Sequence, residues 1–448
     1  MFKRSSQSIL SLLLMLCLLL TMVPVALAYE EVLAHEVKAA TVVSGHGGTY
    51  ADNEIEPMSS PTGHRDFSTD SEWDTLRRIN AFRIQNGRAP LAMAERMQPL
   101  AALRASELDR SFSQTRPNGR PWHTVIDEAD ISYSLAAEII ARPAMSGQRV
   151  LELWLDSERT RTVLLGEFTH IALGHNISTD TWCAHLITSE ASHSSLSLLS
   201  SSSRQLPFGG RLESLGLIVV ARGGLGMSFL PLIDGMARDL NTNRAGAQNP
   251  SVSWGGLSFR FSIFVNFADV PSTHRYHSHI RFVTTNRLFT GVSDSAFAPD
   301  SRMTRGMFVT VLGRQARQMG LPITGDHSGF VDVRDGAWYT PYIGWAAERG
   351  IAQGDRGHFR VTNSVTREQM ATFLLRFIHY IDMEPNVNVI PAYADRHRVS
   401  DWALEAVDTA VALGLINLRS NNTFAPNELA TRAEVARAMA VLVRDHLS

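Results

Sequence analysis

Residues 330–370 read FVDVRDGAWYTPYIGWAAERGIAQGDRGHFRVTNSVTREQM, and the same pattern recurs on both sides of them. Phe267-Ala268-Asp269 stands sixty-three residues before Phe330-Val331-Asp332, and Tyr393-Ala394-Asp395 stands sixty-three after. Thr304-Arg305, Thr366-Arg367 and Thr431-Arg432 close the loops of the three copies, preceded by Phe297-Ala298-Pro299, Phe359-Arg360-Val361 and Phe424-Ala425-Pro426. Tyr276, Tyr339 and Trp402 keep a constant offset, as do Ile280, Ile343 and Ala406. A fixed period of this kind marks one supersecondary unit copied, each copy too small to bury a core alone.

Each copy predicts an aromatic-x-Asp segment running into a helix such as 341–349, which Gly350 or Gly414 ends in the left-handed backbone that glycine adopts cheaply. A polar loop follows, then a second helix started by Thr, with Thr431-Arg432-Ala433-Glu434 fitting a capping box. Met370, Phe373, Leu374 and Phe377 give that helix an apolar stripe in the middle copy, as do Phe308, Val311 and Leu312 in the first. The first copy departs from the pattern: Thr304-Arg305-Gly306-Met307 lacks the acid of Glu368 or Glu434, so its cap is weaker. Phe267, Phe330 and Tyr393 are assigned to the core. Asp269, Asp332 and Asp395 read as turn or capping acids, with sugar contact as the alternative.

The F-x-D-V, W-A and T-R-x-E elements resemble S-layer homology repeats over about 267–448. The resemblance implies an all-α, pseudo-threefold unit, with repeats at 267–328, 329–391 and 392–448, holding an exported protein to an acidic or pyruvylated secondary cell-wall polysaccharide. It further implies that Arg305, Arg367 and Arg432 face grooves between copies as carbohydrate-binding residues, with Tyr339 and Trp402 as sugar platforms. A planar guanidinium fork suits a carboxylate, though a salt bridge to a neighbouring acid would satisfy the same arginines.

At the chain's beginning, Lys3 and Arg4, the apolar run 9–20 and Ala26-Leu27-Ala28 predict a secretory signal over 1–28. Cys17 lies in that apolar run and Cys183 is the one cysteine beyond it, so export proceeds without an intrachain disulfide framework and each domain rests on its apolar core. No later segment is long and apolar enough for a membrane span. With 44% hydrophobic residues in 448, several cores are expected; a formal charge of −2 and no basic run argue against nucleic acid as a partner. Residues 29–69, rich in Gly and Pro, read as a tether, and 190–207, dominated by Ser, as a linker.

Thr69-Asp70-Ser71-Glu72 predicts a capping box, and Trp73, Leu76, Ile79 and Phe82 one face of the helix that follows. Further helices are expected through Leu100, Leu103 and Leu108 and from Ser146, with strands at 168–173 and 181–188, an α+β arrangement. Ile79-Asn80-Ala81-Phe82-Arg83, Arg116-Pro117-Asn118-Gly119, Ala137-Glu138-Ile139, Trp154-Leu155-Asp156-Ser157 and 168–174 make 70–189 similar to the CAP superfamily of cysteine-rich secretory proteins. That resemblance implies an α-β-α sandwich whose cleft, in many members, holds two His and two acids around a divalent metal. Here Gln114 and Thr160 stand where those imidazoles are expected, and only Glu138 remains of the Gly-Glu-Asn motif. His170, with His123 and His185, follows no ligand spacing. No metal, cofactor or catalytic residue is therefore expected, and the cleft residues Glu138, Gln114, Thr160 and His170 read as a degenerate site in a module of unknown ligand. Hydrolysis of peptide or wall substrate, and a passive surface-layer role, stay as alternatives.

Strands from Leu215 to Val220, at 251–254 and at 259–267, turning at Gly255-Gly256, resemble a bacterial immunoglobulin-like β-sandwich spacer over 208–266. The alternative is that these strands complete the sheet of the preceding domain.

Overall fold

The computed structural model describes residues 36–38, 43–44, 69–189, 191–199, 204–324, 329–385, 387, 389 and 392–447. The expected signal, and 45–68 of the expected tether, lie outside the described residues. The chain divides into two compact units, Met1–Ser202 with Gly216–Arg238 and Ser251–Phe261, and Ser203–Leu215 with Asp239–Pro250 and Ser262–Ser448.

The first unit is organised by a nine-stranded sheet. Its strands are β1 (Glu36–Lys38), β2 (Val43–Ser44), β3 (Ala92–Ala94), β4 (Leu135–Arg142), β5 (His170–Asn176), β6 (Thr181–Thr188), β7 (His193–Leu199), and, later in the chain, Ile218–Gly223 and Gly226–Pro231. Numbering the intervening Gln205–Leu206 as β8 makes that last pair β9 and β10. The order is β1-β4-β6-β5-β3-β10-β9-β7, with β2 also on β4, and β3–β5 is a parallel pair. The central strands are buried on both faces, which is why LAAEIIAR and TWCAHLIT lack clean alternation.

Helix α1 (Asp70–Gln85) starts at Thr69 in the predicted capping box with Glu72. Its Trp73, Leu76 and Ile79 cluster with Ala137, Ile139 and Ala141 of β4. Val150, Leu153 and Trp154 join them from α4 (Gly147–Asp156), and Val163 and Leu164 from α5 (Glu158–Leu164). A second cluster brings Ala101 of α2 (Gln98–Glu107) and Val125 and Ile126 of α3 (Thr124–Asp127) onto the alternate residues Ala136, Ala172 and Ile187. Asn80 and Arg83, two residues of the quoted motif, hold loops: the Asn80 amide pairs both ways with the Leu91 backbone, and Arg83 donates to the carbonyls of Ala89, Leu164, Gly166 and Phe168.

Three expectations are corrected here. Part of the expected tether is edge strand, since Glu36–Lys38 and Val43–Ser44 pair with β4. Part of the serine-rich linker is β7, paired antiparallel with β9; its Leu196 and Leu198 alternate with exposed serines, a period that composition conceals. The stretch 208–266 is not a separate sandwich. Phe229 and Ser228 of β10 take the edge of β3 opposite Met93 and Ala94, and Phe229 packs edge-on to Trp73 at 6.3 Å. Joining an existing sheet buries Ile218, Val220 and Phe229 in a core already present.

In the second unit, β8 runs parallel to β14 (Ile263–Val265), which also pairs with β11 (Gly246–Gln248). The hairpin β12 (Ser251–Trp254) and β13 (Leu257–Arg260) belongs to the first unit. Each repeat then supplies a short and a longer helix: α6 (His277–Thr285) and α7 (Arg305–Gln318), α8 (Thr340–Glu348) and α9 (Arg367–Tyr380), α10 (Leu404–Ala412) and α11 (Arg432–Val441). One continuous core draws Phe267, Phe308, Ile343, Phe377, Tyr393 and Met439 from all three copies, with Phe330 partly buried against it. Gly350 and Gly414 take φ of 68° and 67° at the short helices' ends, and Arg287 does the same in the first copy at 56°.

Backbone hydrogen bonds close the repeats on themselves. The Met303 N–H donates to the Ala430 carbonyl, Ala430 to Val365, and Val365 back to Met303. The Arg305 N–H donates to Asn363, Arg367 to Glu428 and Arg432 to Ser301, so each long helix has its first orphan donors satisfied by another copy's loop. Thr366 and Thr431 sit in capping boxes, the former completed by Gln369 rather than Glu368; Thr304 accepts from Met307 without a reciprocal partner. Glu368 instead accepts from Ser400. The first copy's Gly306 has a steric reason, because a Cβ there would lie 2.7 Å from Val361 Cγ1. The equivalent loop positions elsewhere are Pro299 and Pro426, facing Ala433 and Glu368.

Candidate functional site

The Phe-containing turns are built the same way three times. Asp269 accepts from the N–H groups of Phe297 and Ala298, Asp332 from Phe359 and Arg360, and Asp395 from Phe424 and Ala425. The three acids are therefore turn acids. In each turn the residue after Phe has positive φ: Ala298 57°, Arg360 62° and Ala425 57°. Two N–H donors per carboxylate hold a backbone that these side chains adopt only with help. Burial alone would raise the Asp332 carboxyl, but those donors bring it below the usual range.

The three arginines expected to face sugar are turned into this scaffold. Arg305 Nε donates to the Phe359 carbonyl at 2.8 Å, Arg367 Nε to Phe424 at 2.7 Å, and Arg432 Nε to Phe297 at 2.9 Å. Their Nη2 groups donate to Gln353, Asn417 and Thr290 carbonyls. Each guanidinium also lies over the ring of the same Phe, at 4.8, 5.0 and 4.7 Å. Arg367, 1% exposed, adds Glu434 at 2.7 Å, so all its nitrogens are committed. Burial lowers all three from the ordinary guanidinium value. Their first work is to bind one copy's helix to the next copy's turn. Of the expected platforms, Tyr339 is partly buried and Trp402 is 58% exposed; Trp338, beside Tyr339, is equally exposed.

A cavity of about 560 Å³ does open where the repeats meet. Arg275, Tyr276 and His279 line it from the first copy, Arg367 and Met370 from the second, and 415–420, Glu434 and Arg437 from the third. Four guanidinium groups (Arg275, Arg367, Arg419, Arg437) thus face one carboxylate. Arg275 is exposed and stacks on Tyr276 at 4.5 Å. Arg437 is tethered to the carbonyls of Gly414 and Leu415, and Arg419 to Glu428 and Glu434. His279 Nδ1 is buried without a partner among the described residues, and burial, with Arg437 and Arg444 nearby, lowers its pKa. Sequence reading passed over Arg275, His279, Arg419 and Arg437. One signal was available: Arg437 stands where the other copies carry Thr310 and Thr372, whose hydroxyls turn back onto their own helices.

In the first unit, Glu138 is fully buried and already paired. Arg104 Nε and Nη2 donate to its two oxygens at 2.9 and 3.0 Å, His185 Nε2 lies 3.1 Å away, and Cys183 Sγ donates at 3.5 Å. Burial raises the Glu138 carboxyl, but His185 and Arg104 outweigh it and hold it below the usual range. Burial lowers Arg104, but the Glu138 bond and charge more than reverse this. The network continues through Glu107 and Arg116 to Glu128. Glu138, Cys183 and His185 have ligand atoms within 4.8 Å of one another, yet the Arg104 guanidinium takes both carboxylate oxygens and burial keeps the Cys183 thiol protonated. This donor set does not fit a divalent metal, because it already contains its cation.

The other expected cleft residues are accounted for separately. Thr160 is buried and donates to the Trp154 and Ser157 carbonyls, on a helix whose Val163 and Leu164 join the cluster on the opposite sheet face from Glu138. Both amide atoms of Gln114 are buried without a partner among the described residues. His170 is buried on the face shared with Ala172, His185 and Glu138. Arg104 was legible in principle, since it falls at four-residue spacing between Leu100 and Leu108 on an apolar stripe.

Residues 266–306, 329–371 and 392–436 match the S-layer homology domain model, and 76–186 match that of the cysteine-rich secretory protein family. The chain is 32% identical over 158 residues to an amylopullulanase of Thermoanaerobacterium thermosulfurigenes, covering 35% of this chain and 8% of that protein. It is 27% identical over 198 residues to an S-layer protein of Bacillus thuringiensis subsp. finitimus, covering 44% and 23%. An extracellular protein containing a SCP domain from Bacillus anthracis str. Ames is similar in structure at 21% identity and TM-score 0.26, over 29% of this chain and 45% of that one. The chain thus spans a small part of the curated relatives it matches. No helix among the described residues is long and apolar enough to cross a membrane. The chain carries a CAP domain of the cysteine-rich secretory protein family followed by three S-layer homology repeats.

Proposed function

We propose that this is an exported cell-surface protein held without covalent linkage to an acidic or pyruvylated secondary cell-wall polysaccharide by its repeats, displaying the CAP domain as a binding module. The observation that carries the reading is the cavity among the repeats, where four guanidinium groups meet Glu434 and, through Arg419, Glu428, a surplus of two beside an aromatic ring. Such a surplus attracts an anionic chain, the exposed Arg275 offers its fork to a carboxylate, and Tyr276 gives a sugar ring an apolar face. Binding is then assigned chiefly to Arg275, Arg437 and Tyr276, with Arg305, Arg367 and Arg432 holding the grooves in shape. The repeats form the all-α pseudo-threefold part of the chain, and the CAP domain an α-β-α sandwich. That a repeat unit of this kind is shared with an S-layer protein supports a wall-facing location.

Glu138 is not offered as a general base, because Arg104 engages both its oxygens out of solvent. The test is retention of the signal-free chain on purified wall polysaccharide. Arg275→Glu should reduce retention at least tenfold, and raised salt should weaken it, as expected of partly solvated charge pairs. Retention unchanged by that substitution and by salt would overturn the reading.

A further inference from the structure

A second cavity, of about 440 Å³, lies wholly in the first unit and has no part in the Glu138 network. Ala89 and Pro90, Phe168 and Thr169, Ser189, 191–193, and 253–257 of the β12–β13 hairpin wall it. None of its described lining residues carries a carboxylate, ammonium or guanidinium group. Its apolar surface is aromatic: Trp254 is fixed by Nε1 donating to the Pro90 carbonyl, and His193 meets it at 4.7 Å. The hairpin turn comes so close that a Cβ on Gly255, at φ 58°, would lie 3.0 Å from His193 Nδ1. Glycine is required there by both backbone and space.

One ring nitrogen behind this cavity, on His170, is unsatisfied among the described residues. His170 stacks on His193 at 5.4 Å and meets Trp254 at 5.2 Å. Its Nδ1 contacts Thr169 Oγ1 at 2.9 Å, while its Nε2 is buried with no partner among the described residues. A buried, unsatisfied ring nitrogen costs free energy unless something fills its bond. The serine hydroxyls of Ser192 and Ser253 stand at the exposed rim.

We propose that this cavity is a binding site for an uncharged sugar residue, with Trp254 as platform and the His193 imidazole and rim hydroxyls as hydrogen-bond partners. An aromatic wall with scattered hydroxyl and imidazole groups and no fixed charge among its described residues suits a ligand with apolar C–H faces and neutral hydroxyls, and the volume is within the range of small-molecule sites. The chain would then hold two saccharide sites of opposite character: a cationic one in the repeats and a neutral one in the CAP domain.

The experiment titrates the full signal-free chain with the N-acetylglucosamine trimer, following tryptophan fluorescence and heat, with glucuronic acid as the charged comparator. Saturable binding of the trimer is expected, with weaker binding of the acid. His193→Ala should lower the affinity at least tenfold, and Ser253→Leu, at an exposed rim position, should lower it without altering the melting temperature. Arg275→Glu, in the other cavity, should leave it unchanged. Absence of saturable binding, binding indifferent to both cavity variants, or preference for an apolar peptide over the trimer would each overturn the proposal. Failure of Arg275→Glu to affect wall retention would count against the repeat-unit reading alone.

Discussion

Arg104 in the CAP domain and Arg432 in the repeats are both buried guanidinium groups, and they are satisfied in opposite ways. Arg104 faces the carboxylates of Glu138 and Glu107, and the pair charges hold it above its ordinary value. Arg432 faces the carbonyls of Phe297 and Thr290 and the Phe297 ring, with burial lowering it. A carboxylate partner makes a neutral internal unit, but losing one member strands the other's charge. Carbonyl partners leave the cation net positive while fixing a turn of another copy, which suits a scaffold around a cationic groove.

The largest way to break this contrast is Glu138→Ala. It strands Arg104 and should cost about 3–5 kcal/mol of CAP-domain stability. Denaturant melts that monitor each unit should show the repeats unaffected, and Arg104→Met with Glu138→Leu should recover most of the loss. A melt as stable as the parent would show that the pair is solvated.

Acid sharpens the contrast next. Burial, with His193 beside it, lowers His170 to about 3, whereas the unfolded chain titrates near 6.5. Between those values the unfolded state binds the extra proton, so stability rises with pH in this window and is complete above it. Moving from pH 6.5 to 4.5 should cost the CAP domain about 2 kcal/mol from this residue. His170→Gln should flatten the profile; an unchanged slope would refute the assignment.

Arg432→Ala should destabilise the repeats by about 2 kcal/mol, because two carbonyls lose their donors, and Arg432→Lys should restore less than half, lacking the fork. The smallest effect is expected from Gly306→Ala, at about 1–2 kcal/mol, since its Cβ would crowd Val361. Adding Val361→Pro, the residue type of the other two copies, should recover part of that cost; strict additivity would contradict the contact.

Much of the architecture was legible. The sixty-three-residue period located the repeats, the Thr69 and Thr431 boxes formed as read, and the aromatic-x-Asp acids became turn acids. Other features escaped for physical reasons. Serine-rich β7 reads as linker because its strand signal is only two leucines at alternate positions, and pairing with β9 decides it. The strands of 218–231 carry no mark of which sheet they join, since an edge is chosen by what it buries. The thrice-repeated arginine was legible as a repeated feature, but its bonds to another copy's carbonyls were not, because the acceptors lie far away in the chain.

By itself the sequence determined the modular order, the period of the repeats, and where helices start and stop, because these follow from spacing and residue type within a few turns of chain. Only tertiary structure decided which way each charge points. Arg305, Arg367 and Arg432 meet carbonyls some 48 to 142 residues away, and Arg104 meets Glu138 thirty-four residues on. A guanidinium reaches for whatever acceptor the fold brings within 3 Å, and that acceptor is set by packing of distant segments, which no local pattern encodes.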